Sequence, residues 1–66
     1  MRVTVNGEPH DLPATMTVAD LVADLALSQR RIAVEVNCDI VPRERYATHP
    51  LRDGDAVEIV HFIGGG

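Results

Sequence analysis

Val18, Leu21, Val22 and Leu25 fall at i, i+3, i+4 and i+7, the one sustained helical stripe in a chain of 66 residues. That spacing lines one face of an α-helix with aliphatic side chains. A helix with a single apolar face needs a second layer to cover it. The flanking segments supply one, because they read as strands. Arg2-Val3-Thr4-Val5-Asn6 alternates with Val3 and Val5 inward, Ile32 to Asn37 with Ile32, Val34 and Val36 inward, and Ala56 to Ile63 with Val57 and Ile59 inward. The element order is β-β-α-β, then a short strand and a helical turn, then β. It predicts an α+β domain: a mixed four- to five-stranded sheet with one main helix packed across one face.

Turn chemistry agrees with this order. Asn6-Gly7 predicts a type I′ hairpin, which needs positive φ at both central residues. Pro9 in the return strand, Glu8 to Leu12, cannot donate to a ladder and places that strand at an edge. Thr17 is positioned to cap the helix, and Asp20 favours its positive end. The helix is expected to end around Ala26 to Ser28, with Arg30 and Arg31 close to its negative end. Asn37-Cys38-Asp39 turns the chain into a short strand, Ile40-Val41. Pro42 is expected at the first position of a helical turn near residues 43–47. Leu51 reads as a core plug and Asp53-Gly54-Asp55 as a tight turn.

Composition excludes several function classes. Ten acids against six arginines, with no lysine, give a net charge of −4. Nucleic acid is therefore not an expected partner, since a basic stripe supplies most of that affinity. Without lysine there is no Schiff-base chemistry and no side-chain amine for self-conjugation. No segment approaches the ~20 apolar residues of a membrane span, so no membrane is expected. A single cysteine and no N-terminal apolar run point to the cytoplasm.

The candidates for chemistry are few. Cys38 stands beside Asp39 with no base in view and reads as a turn residue. His10, His49 and His61 lack metal-ligand spacing, and Asp53-Gly54-Asp55 lacks the further ligands of a calcium loop. No metal site, no bound cofactor and no catalytic residue are expected; the chain is not an enzyme on its own.

The chain's last strand leads directly into Gly64-Gly65-Gly66. A glycine-only tail offers backbone and one carboxylate. It fits channels closed to residues with a Cβ, and three residues reach about 10 Å. The expected division is a domain over residues 1–63 and a flexible tail over residues 64–66. If Val57 and Ile59 face inward, alternation sends Val60 and Phe62 outward at the base of that tail. With Ile63 they form a candidate docking patch for a partner.

The run from Val36 to Val60, Val-Asn-Cys-Asp-Ile-Val-Pro-Arg-Glu-Arg-Tyr-Ala-Thr-His-Pro-Leu-Arg-Asp-Gly-Asp-Ala-Val-Glu-Ile-Val, followed by terminal glycines, resembles the ThiS family of thiamine-biosynthesis sulfur carriers. Val5-Asn6-Gly7-Glu8 and the Thr17-Val18 helix start fit as well, while Tyr46 stands where tryptophan is frequent. The resemblance implies a ubiquitin-like β-grasp fold. It also implies that Gly66 is adenylated by a ThiF-like adenylyltransferase using ATP and Mg²⁺, then converted to a C-terminal thiocarboxylate. The sulfur would derive from a cysteine desulfurase and pass to a ThiG-like thiazole synthase. Gly64 and Gly65 would enter the partner's active site, with Val60, Phe62 and Ile63 docking the carrier. Two alternatives remain open: a sulfur carrier for molybdopterin, tRNA thiolation or cysteine synthesis, and a ubiquitin-like modifier or binding module.

Overall fold

The computed structural model describes residues 1–62. The strands are β1 (Arg2–Val5), β2 (Glu8–Asp11), β3 (Ile32–Val36), β4 (Asp39–Val41) and β5 (Ala56–His61), and the helix is α1 (Val18–Asp24). Two 3₁₀ turns, Gln29–Arg31 and Arg43–Arg45, complete the set. The five strands form one mixed sheet in the order β2-β1-β5-β3-β4. β1 and β5 run parallel at its centre, and the other neighbours are antiparallel. The proline-bearing strand lies at an edge, as its missing N–H requires.

The strand pleat decides which residues enter the core. Val3, Val34 and Val57 come from three adjacent strands and meet Val18, Leu21 and Val22 of α1 in one cluster. Each such side chain, fully buried, contributes roughly 1.5–3 kcal/mol. Leu51 and Tyr46 close the same cluster from the long connection before β5.

That connection also caps α1. The Thr17 hydroxyl accepts from the Asp20 amide at 3.2 Å, and the Asp20 carboxylate accepts from the Thr17 amide at 2.9 Å. The next two amides, of Val18 and Ala19, donate to the carbonyls of His49 and Tyr46 at 3.0 and 2.8 Å. Four N–H groups that an isolated helix leaves without partners include these two. The residue stretch 46–51 is thereby fastened to the helix start.

α1 ends earlier than expected. Ala26 takes φ +57°, and the amides of Ala26 and Leu27 return to Ala23 and Val22. This is the Schellman arrangement, here without its usual glycine. Arg30 and Arg31 consequently sit in their own 3₁₀ turn, and the last turn of α1 holds no base. Pro42 is the residue before the second 3₁₀ turn rather than its first position. The helical turn covers Arg43–Arg45, shorter than the expected 43–47. The expected boundary between a 1–63 domain and a 64–66 tail falls outside the described residues.

Two asparagines fasten β5 to its neighbours. Both open type I′-like turns, Asn6-Gly7 with φ 51° and 83°, Asn37-Cys38 with φ 52° and 72°. The Asn6 side chain accepts from the Ile59 amide at 2.7 Å and donates to the Ile59 carbonyl at 3.1 Å. It thus continues the β1–β5 pairing after the backbone of β1 has turned away. Asn37 accepts from the Ala56 amide at 2.9 Å and donates to Asp55 at 2.9 Å, holding the start of β5.

The two turns form an internal comparison, since only one has glycine where φ is most positive. Replacing Cys38 by Gly removes a left-handed strain of about 1–2 kcal/mol and adds an unfolded-state entropy cost of about 0.4–1 kcal/mol. Cys38→Gly is therefore expected to raise stability by roughly 0.5–1 kcal/mol in urea unfolding. A loss of stability would show that the turn is held open by something other than its dihedrals.

Candidate functional site: the outer face of the sheet at the end of β5

β5 positions the site. Its inward residues, Val57 and Ile59, are locked in the core, which forces Val60 onto the opposite face. Val60 is 57% exposed and Phe62 56% exposed, so the aromatic ring is not folded back into the protein. Ile63, Gly64, Gly65 and Gly66 lie outside the described residues. Val60 and Phe62 are thus both exposed, as the alternation along β5 predicts.

The neighbours of this patch are set by register. β3 runs antiparallel to β5, bringing Ala33 opposite Val60 and Glu35 opposite Glu58. Pairing extends one residue further, with the Phe62 amide donating to the Arg31 carbonyl at 2.8 Å. On the other side of β3, Ile40 stands opposite Glu35 and is 75% exposed. Ile40 is the largest exposed apolar side chain on β4 and was missed by the sequence reading. Its signal was present, because Val41 inward puts Ile40 outward.

The other candidates are dispersed. Cys38 is exposed in the β3–β4 turn. His10 lies on β2, His49 in the connection before β5, and His61 at the end of β5. Among the described residues no group of histidine, cysteine or carboxylate side chains is arranged to hold a metal ion. The Asp53-Gly54-Asp55 carboxylates are already engaged. Asp53 accepts from the Arg2 amide at 2.7 Å, and Asp55 accepts from the Arg52 amide at 2.8 Å and from Asn37. Gly54, with φ +88°, makes the turn possible.

Among the described residues one pair, Arg2 and Asp11, has displaced titration, and it lies away from the patch, on β1 and β2. The Arg2 guanidinium donates to Asp11 at 2.9 Å and, through this hydrogen bond and its charge, holds that carboxyl below its usual range. The bond therefore supports the fold at neutral pH, and its support is lost as pH falls through the lowered Asp11 value. Both groups are exposed, so the contribution is small. No helix among the described residues is long and apolar enough to cross a membrane.

Three comparisons bear on this arrangement. The sequence model of the ThiS family matches residues 3–66. A thiazole synthase of Paramagnetospirillum magneticum is 47% identical over 66 residues, all of this chain and 20% of that protein. The chain spans about a fifth of the length of the thiazole synthases it matches. The sulfur carrier protein ThiS of Bacillus subtilis is 46% identical over 52 residues, 79% of each chain. In fold, the crystal structure of a thiamine biosynthesis protein (ThiS) from Geobacter metallireducens superposes with a TM-score of 0.85 at 36% identity, covering 100% of both chains.

Proposed function

This chain belongs to the ThiS family, and from that premise we propose that it is a sulfur carrier of thiamine biosynthesis whose chemistry resides on the carboxylate of Gly66. The observation that carries the reading is the end-to-end likeness to a small ThiS protein of the same β-grasp fold. The exposed Val60 and Phe62, standing where β5 leads toward the glycines, support it.

The chemistry follows from the weakness of a carboxylate as an electrophile. With a reference pKa of about 3.3–3.7 the terminal carboxyl is anionic at neutral pH. One carboxylate oxygen attacks the α-phosphorus of ATP on a ThiF-like adenylyltransferase, with Mg²⁺ neutralising the pyrophosphate that leaves. The resulting acyl-adenylate offers AMP as a leaving group. A persulfide sulfur, originating from a cysteine desulfurase, attacks the carbonyl carbon and AMP departs. Cleavage of the sulfur–sulfur bond by a thiol then frees the thiocarboxylate. ATP and Mg²⁺ belong to the partner; this chain contributes the carboxylate, the narrow backbone of Gly64 and Gly65, and a docking surface of Val60, Phe62 and Ile63. These events belong in the cytoplasm.

A ThiG-like thiazole synthase is the proposed acceptor. It is supported by the thiazole synthases that contain a stretch similar to this whole chain. Where one polypeptide holds both parts, carrier and acceptor are supplied together. Intact-mass analysis of untagged protein from cells tests the reading. An oxygen-to-sulfur increase at the C-terminus is expected, whereas an isopeptide-linked Gly66 would assign the chain to the protein modifiers instead.

Phe62→Ala separates docking from folding. A buried phenylalanine costs roughly 3–5 kcal/mol when truncated, but this ring is more than half exposed. The expected result is a stability loss below about 1 kcal/mol with a clear loss of affinity for the activating partner. A stability loss of the buried size would place the ring in the fold and remove it from the docking surface.

A further inference from the structure

We propose that the outer face of the sheet is read through a two-ended charge pattern: the partner that accepts residues 63–66 presents an acidic rim to Arg30, Arg31 and Arg43, and a basic group to Glu35 and Glu58. This rests on the carrier reading above and goes beyond it by specifying the electrostatics of the surface that receives the chain.

The pattern is built from register. Arg31 stands opposite Phe62, where β5 ends. Arg30 precedes it, and Arg43 reaches the same end, its Nη2 3.5 Å from the Arg30 carbonyl oxygen. Half of the six arginines therefore gather at one end of a chain whose net charge is −4. Among the described residues the only ion pair is Arg2–Asp11, so no acid lies within salt-bridge distance of these three. Glu44, next in sequence to Arg43, lines a depression with Ile40, Arg45 and Pro50. Nor do these arginines serve α1, whose last turn contains no base.

The other end carries the opposite charge. Glu35 and Glu58 are directly opposed on β3 and β5. Cross-strand partners lie with Cβ atoms about 5 Å apart, and like charges so placed are unfavourable. Arg31 and Glu35 are four residues apart, about 13 Å along the sheet. Between them lie Ala33 and Val60, an apolar row with no charge of its own. Two self-repelling clusters of opposite sign flank an apolar centre. Such a face admits one orientation of a complementary surface, because turning the partner end for end sets like charges against like.

The test is adenylation of the full chain, followed by ATP–pyrophosphate exchange with the adenylyltransferase of the same cell at about 50 and 300 mM salt. Arg31→Glu is expected to lower kcat/KM by about 10-fold at low salt and to flatten its salt dependence. Glu58→Arg is expected to lower it as well. Arg52→Glu makes the same change in net charge away from the arginine end, in the turn that precedes β5, and is expected to stay within about 2-fold of wild type. Equal losses for Arg31→Glu and Arg52→Glu would reduce the effect to net charge and overturn the proposal. So would an unchanged Arg31→Glu, while leaving the carrier reading standing if the wild-type chain is adenylated. Absence of adenylation in the wild-type chain would overturn both.

Discussion

Deleting Gly66, or appending one residue after it, is expected to abolish thiocarboxylate formation while leaving the fold unchanged. Deletion moves the carboxylate back by one residue, at most about 3.6 Å. A reacting group misplaced by as little as about 1 Å can lose 10²-fold in rate. An added residue is more severe, since it converts the acid into an amide and brings a Cβ and side chain into the path that glycine keeps clear. Neither change reaches the core, whose last member among the described residues is Ile59. Circular dichroism and urea unfolding should match wild type, and intact mass after incubation with the activating partner, ATP and a sulfur donor should show no sulfur gain. Sulfur appearing on either variant would mean that the reacting group lies elsewhere in the chain.

Leu21→Ala is expected to have the largest effect on folding. Leu21 is 1% exposed and belongs to the helix stripe that covers the sheet. Buried Leu→Ala changes cost about 2–5 kcal/mol, the lost transfer energy plus the cavity left behind. At roughly 0.05–0.15 kcal/mol per residue, a domain of this size has only about 3–10 kcal/mol to lose. The variant should unfold at much lower urea and be partly unfolded without it. Leu25→Ala serves as the control, because Leu25 only packs against the margin of the core. If the two variants lose stability equally, α1 is not seated by the Val18–Leu21–Val22 face.

The elements were readable because they rest on local periodicity. Val3 and Val5, Ile32 to Val36, and Val57 and Ile59 alternate, and α1 carries its stripe with a Thr17–Asp20 cap. The edge position of β2 was readable too, since Pro9 acts within its own strand. What escaped depends on partners distant in sequence. Nothing in Glu35 or Glu58 alone reveals that they face one another across 23 positions of chain; that follows from the β3–β5 register. The side-chain bridges of Asn6 to Ile59 and Asn37 to Ala56 were hidden for the same reason, though both residues read correctly as turn formers. The end of α1 was misplaced because Ala26 adopts a left-handed conformation that glycine normally signals. At the site, the outward facing of Val60 and Phe62 followed from alternation, whereas the gathering of Arg30, Arg31 and Arg43 required the tertiary fold.

The central placement of β5 has a mechanical consequence. A partner that grips the end of the chain exerts a pull along β5, toward its Phe62 end. That strand lies between parallel β1 and antiparallel β3, with Asn6 bound to both polar groups of Ile59. Tension along the strand axis loads these lateral bonds together in shear instead of peeling them one at a time. The body can therefore resist a pull applied at the Phe62 end of β5.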